Sequence, residues 1–160
     1  MHKLKENFTF LIDNKECIFY KWIKEAFQID TKKLLEKKVW AVVGATIDPE
    51  KYGNKIYKEL KEAGYTVYPI SPKYAEIDGD IAYASLLDLP EKPDVVNFVV
   101  NPKIGIQVVK QCAKLGIKDI WLQPGTVSDE ILAYAKEQEI NAHQACVLVA
   151  LRVEKKRIRD

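Results

Sequence analysis

The chain has 160 residues, enough for one domain with a substantial core, and 48% of them are apolar against 30% charged, an ordinary balance for a soluble globular protein. A formal charge of +2 gives no global field that would draw nucleic acid or an anionic membrane, and no apolar run is long enough to cross a bilayer. The first residues lack a signal-peptide pattern, so a cytoplasmic location is expected. Cys17, Cys112 and Cys146 are scattered, as are His2 and His143, which predicts neither a disulfide framework nor a metal site.

Residues 1–37 read as an N-terminal helical extension packed on the domain that follows. Phe8–Ile12 is expected to be a short extended segment, and Asp13 with Glu16 has the spacing of a capping box. The helix behind it carries Phe19, Tyr20, Trp22 and Phe27. Such a face suits packing onto the domain, and it also suits self-association or a protein partner. A second short helix over Thr31–Lys37 would turn Leu34 and Leu35 inward.

From residue 38 the pattern changes. Val39–Val43 is a short apolar run that stops at Gly44, as a buried parallel strand does on entering a tight turn. A helix is predicted from Gly53 to Ala63, stopped by Gly64, then a strand over Tyr65–Tyr68 with Pro69 at its end. Ile77–Asp80 is a turn signal. Val95–Val100 is the third strand, and Asn101-Pro102 opens a helix that runs to Leu115 and ends at Gly116. Ile117–Leu122 is the fourth strand, Ser128 or Thr126 caps the next helix, Glu139–Ala142 is the fifth strand, and Cys146–Val153 closes the domain as a helix.

This alternation predicts an α/β protein: a Rossmann-like open parallel five-stranded sheet with helices on both faces, in the order 3-2-1-4-5. Ligands of such sheets lie at the carboxyl ends of the strands. Four turns collect there: Gly44-Ala45-Thr46, Ser71-Pro72-Lys73, Asn101-Pro102 and Gln123-Pro124-Gly125. Gly44 lets the backbone approach a diphosphate, Thr46 offers a hydroxyl, and Gly53 allows the following helix to come close. The full G-x-G-x-x-G fingerprint is absent. After the second strand, where an NAD enzyme commonly carries an acidic residue, this chain has Ser71 and Lys73. A hydroxyl and an ammonium suit a ribose phosphate, which points to coenzyme A or NADP.

Val42-Val43-Gly44-Ala45-Thr46 with Pro49 and Lys51-Tyr52-Gly53 resembles the opening motif of the small coenzyme A-binding proteins. So do Gly64-Tyr65-x-Val67-x-Pro69-x-x-Pro72, Asp88-Leu89-Pro90 and Trp121-x-Gln123-x-Gly125. The nucleotide-binding half of the succinate–coenzyme A ligase α subunit is a more distant likeness. The resemblance makes residues 38–160 a coenzyme A-binding domain. It implies that Gly44, Ala45, Thr46 and Tyr52 surround the ribose and diphosphate, and that Ser71, Pro72 and Lys73 meet the 3′-phosphate. Asn101 and Pro102 would line the crevice, and Gln123, Pro124 and Gly125 would approach the pantetheine arm. The resemblance implies that a full ligase would need a second domain with a phosphorylated histidine, which is not expected within these 160 residues.

No catalytic grouping is visible. Cys146 stands three residues from His143, but a small buried hydrophobe, or failing that a thiol meeting the ligand thiol, explains it better than a reactive pair. Cys112 falls on an apolar helix stripe, and Cys17 is read as core too. The basic tail around Arg152–Arg159 matches a helix C-terminus. The function expected is non-catalytic binding of coenzyme A or an acyl-coenzyme A through the glycine loop. The alternatives are an NADP-binding oxidoreductase-like domain and a structural or regulatory subunit that has lost its ligand.

Overall fold

The computed structural model describes residues 2–160, with side chains from residue 18 onward. The chain divides into two compact units, Met1–Lys33 and Leu34–Asp160. The described residues of the first, 2–33, belong to a single helix, α1 (His2–Leu35), which runs unbroken through the segments expected to be extended or to begin a second helix. The side chains of Asp13, Glu16 and Cys17, on which the capping-box and core readings rest, lie outside the described residues. At the expected break, the Thr31 hydroxyl donates to the Phe27 carbonyl one turn back at 2.9 Å, so it serves the helix interior rather than a new N-cap.

The second unit is built from β1 (Val39–Val43), α2 (Tyr52–Glu62), β2 (Thr66–Ile70), β3 (Glu76–Ile77), β4 (Asp80–Ile81), β5 (Val95–Phe98), α3 (Pro102–Leu115), β6 (Asp119–Leu122), α4 (Asp129–Glu137), β7 (Asn141–Gln144) and α5 (Val147–Arg159). A 3₁₀ turn, Leu86–Asp88, precedes β5. The strands β2-β1-β5-β6-β7 form one parallel sheet, and β3-β4 pair separately as an antiparallel hairpin. The hairpin turns on Asp78 and Gly79, both at positive φ, as a two-residue hairpin loop requires.

The expected order 3-2-1-4-5 is therefore wrong. The third long strand, β5, lies on the free side of β1 rather than beyond β2. Its residues are all buried, as suits a strand between two neighbours and under helices on both faces. Strand β2 is the edge. It contains Pro69, which has no N–H to give a ladder. In place of a full strand, a short segment at Tyr83 covers that edge, its N–H donating to the Pro69 carbonyl and its carbonyl accepting from the Ser71 N–H, both at 2.9 Å.

Alternate residues of the central strands feed two cores. Ala41, Val43, Val96, Phe98, Ile120 and Leu122 pack with α3 and α4 through Ile106, Val109, Cys112, Ile131 and Ala135. Trp40, Val42, Val95 and Trp121 pack with Ile56, Tyr57 and Leu60 of α2 and Val147 and Leu151 of α5. Burial pushes the Cys112 thiol up to about 12, in keeping with its reading as a core residue. Asn97, at the middle of β5, shares the face of Val95 by strand alternation.

Candidate functional site

The turn after β1 is set by two glycines. Gly44 has φ +94°, and a Cβ there would lie 2.7 Å from the Val99 carbonyl oxygen and 2.9 Å from a Val100 methyl. Gly53, in the first turn of α2, is pressed against the same loop, so that a Cβ would sit 2.1 Å from the Gly44 oxygen. Asn54 fixes the arrangement by donating its side-chain amide to the Thr46 carbonyl at 2.8 Å. The start of α2 thus rides directly over the glycine loop. Its N-cap, Lys51, supplies no side-chain cap, and its first turn holds no acidic residue. An uncapped N-terminus beside a close-packed glycine turn is the arrangement that receives an anionic diphosphate.

Ala45 and Thr46 are buried at this turn. The Thr46 hydroxyl accepts from the Asp48 N–H at 3.3 Å and shares a hydrogen bond with the Tyr74 hydroxyl at 3.2 Å. Tyr74 belongs to the loop behind β2, so the loop carrying Ser71, Pro72 and Lys73 is tied to the glycine turn. Ser71 is buried, and its hydroxyl accepts from the Lys73 N–H at 3.3 Å. Pro72 and Lys73 are exposed.

Beside the turn is a hollow of about 370 Å³ lined by Tyr52, Val99, Val100, Asn101, Gln123, Pro124, Gly125, Thr126 and Cys146. Five of the site residues expected from sequence meet there: Tyr52, Asn101, Gln123, Pro124 and Gly125. Gly44, Ala45, Thr46, Gly53, Ser71, Pro72, Lys73 and Pro102 are not among its lining residues. Two of the lining residues also hold the helices. Asn101 is the N-cap of α3, its side chain accepting from the Ile104 N–H at 3.1 Å. Gln123, only 4% exposed, accepts the Val147 N–H at 2.9 Å through its side-chain oxygen. It thereby serves the first turn of α5, where Cys146, the N-cap, makes no side-chain cap. Thr126 donates to the Gln123 carbonyl at 2.7 Å. His143 is buried with its ring edge-on to Trp121, the centroids 4.6 Å apart.

Sequence reasoning passed over Val99, Val100, Thr126 and Asn97. The two valines and the threonine carry no chemical signal of their own and join the hollow through their places at strand ends. Asn97 is wholly buried, and neither its amide nitrogen nor its oxygen has a hydrogen-bond partner among the described residues. A polar residue inside an apolar strand was a signal, but its isolation depends on the helices above it.

The fold and the turn define a Rossmann-like nucleotide-binding domain of the kind that holds its ligand at the carboxyl ends of the strands. Residues 38–152 match the family model described as "CoA binding domain". The chain belongs to that family, and its cofactor is coenzyme A. The acetate–CoA ligase [ADP-forming] I of Archaeoglobus fulgidus is 40% identical over 89 residues, covering 56% of this chain but 13% of that protein. The corresponding ligase II α subunit of Pyrococcus furiosus is 37% identical over 81 residues, 50% of this chain and 18% of the relative. The chain therefore spans less than a fifth of either relative's length. A solved structure of a hypothetical protein from Pyrococcus horikoshii is 37% identical, with a TM-score of 0.75 over 77% of this chain and 88% of that one. The domain is thus related to the nucleotide-binding module of ADP-forming acyl-CoA ligases. No described helix is long and apolar enough to cross a membrane.

Proposed function

We propose that this chain is a non-catalytic binding module for coenzyme A or an acyl-coenzyme A. The observation that carries the reading is the uncapped start of α2 held against the Gly44 turn, where Gly44 and Gly53 leave no space for a Cβ. The diphosphate rests on this turn, Ser71 and Lys73 face the 3′-phosphate, and the pantetheine arm enters the hollow beside Gln123 and Gly125. The polar side chains of Asn101, Gln123 and Thr126 support a binding role, because each is engaged with the backbone. In a cytoplasmic setting the module would hold or deliver the cofactor for a partner that does the chemistry. The exposed aromatic residues of α1 favour contact with a second copy.

Calorimetric titration with coenzyme A, 3′-dephospho-coenzyme A, NAD and NADP tests the assignment. Coenzyme A should bind best, and Lys73→Ala should erase its advantage over the dephospho form. Tighter binding of NADP would overturn the reading in favour of an oxidoreductase-like domain. Turnover of acetate, ATP and coenzyme A to acetyl-coenzyme A by the purified chain would refute the non-catalytic part.

A further inference from the structure

Asn97 stands at the middle of a central strand, where its registered neighbours on the same sheet face are Val42 and Trp121. Both neighbours are wholly buried in the core beneath α2 and α5. Valine at position 97 would suit that face, and the strand around it is otherwise Val95, Val96 and Phe98. The chain instead buries a carboxamide, with both its donor and its acceptor unmatched by any described residue. Buried polar groups are ordinarily paired, so an orphan of this kind calls for a role.

The position supplies one. Side chains alternate along a strand, so Val99 is the next residue on the face of Asn97, and Val99 lines the hollow. On β6 the same step leads from Trp121 to Gln123, which also lines it. Asn97 therefore lies one pleat below the floor of the hollow, on the side covered by α2 and α5. A carboxamide matches two parts of the ligand, the adenine edge and the two peptide-like amides of the pantetheine arm, each with a donor and an acceptor. Of these, the arm is the part assigned above to the hollow beside Gln123 and Gly125.

Building on the coenzyme A reading above, we propose that Asn97 is a ligand-recognition residue whose carboxamide pairs, directly or through one water, with an amide of the pantetheine arm. It selects for the arm rather than for the nucleotide. The orphaned amide is then a feature kept for binding at the expense of the free protein's stability, as buried polar groups at functional sites often are.

The test compares stability and binding in Asn97→Val. Thermal unfolding of the free variant should occur at a higher temperature than that of the wild type, because an unmatched amide is replaced by a residue suited to the strand. Affinity for coenzyme A should fall about tenfold, the usual effect of losing one such hydrogen bond. Affinity for adenosine 3′,5′-bisphosphate, which has no arm, should not change. A variant that is less stable and binds coenzyme A as before would show that Asn97 merely holds a structural water, and would overturn the proposal. In the wild type, the Asn97 side-chain NH₂ resonances should shift on adding coenzyme A and stay in place on adding the bisphosphate. Failure of this pattern overturns the proposal even if the variant does not fold. If the wild type binds neither compound, the coenzyme A reading falls with it; binding of both without a shift at Asn97 removes this inference alone.

Discussion

One methyl group is enough to close the site at two positions. A Cβ at Gly53 would overlap the Gly44 oxygen at 2.1 Å, and neither atom can retreat, because one belongs to a helix and the other to a tight turn. Gly53→Ala should therefore lift α2 off the glycine loop and weaken coenzyme A binding by more than about tenfold, as small displacements of a positioning element do. Calorimetry on the folded variant checks this. At Gly44, alanine meets an unfavourable backbone, costing about 1–2 kcal/mol, and a further steric penalty of about 1–3 kcal/mol from overpacking. Gly64 provides the control. It has φ +90°, but nothing lies within 4 Å of its would-be Cβ, so Gly64→Ala should incur the backbone cost alone. Urea unfolding of the two variants should separate them by the steric part. The importance of Gly44 was legible because it ends an apolar run ahead of turn formers. That of Asn97 was not, because a lone asparagine within Val95–Val100 shows nothing of what surrounds it. Leaving its amide unmatched costs about 1–3 kcal/mol, and that cost arises only when the strand is placed under α2 and α5.

At the scale of elements, the strands and helices were legible where each carries its own stop signal. Gly116 closes α3 in the left-handed conformation after Asn101 and Pro102 open it, and Ser128 caps α4 by accepting from the Ile131 N–H. The order of strands was not legible from alternation, which is indifferent to the side of β1 on which β5 docks. Pro69 and the run Val95–Val100, apolar but for Asn97, held the answer, the first marking an edge and the second a centre. The β3-β4 hairpin was visible only as a turn, yet it has a specific anchor on α2. The Tyr57 hydroxyl donates to Asp80, and the Lys61 ammonium pairs with Asp80 at 2.5 Å and with Asp78 at 3.3 Å. Hydrogen bonds from Lys61 and Tyr57 hold the Asp80 carboxyl below its usual range. A lowered folded-state pKa means the contribution is fully present above the unfolded value, near 4, and is lost as pH falls through the lower folded value. Tyr57 titrates in the opposite sense. Burial, and then the hydrogen bond to Asp80, raises its pKa, so its contribution is complete below pH 10 or so and is lost as pH rises further. Asp80→Ala should remove the buried tyrosine's acceptor and lower stability at neutral pH by about 1–3 kcal/mol. It should also flatten the acid limb of the stability profile. Urea unfolding from pH 2 to 7 measures both; an unchanged acid limb would mean that Asp80 is not held by these partners.

Across the whole molecule, the ligand site and the N-terminal helix belong to different units, since every residue assigned to coenzyme A lies within Leu34–Asp160 and the aromatic stretch lies within Met1–Lys33. On α1, Phe19, Trp22, Ile23 and Phe27 recur at helical spacing, and each is at least 43% exposed. Lys21, Lys24, Glu25 and Gln28 occupy the opposite stripe. An apolar stripe of this kind, on a helix polar on its other side, is suited to pair with the same stripe of a second copy, since a twofold contact matches the patch to itself. On the proposal that this stripe pairs two copies, placing two charges in it, as Phe19→Glu with Trp22→Glu, should leave the protein monomeric in sedimentation equilibrium where the wild type is dimeric. Coenzyme A affinity should be unchanged, because none of the site residues belongs to α1. A variant that remains dimeric would remove the helix from the interface. A monomeric variant with impaired binding would show instead that association helps to build the site.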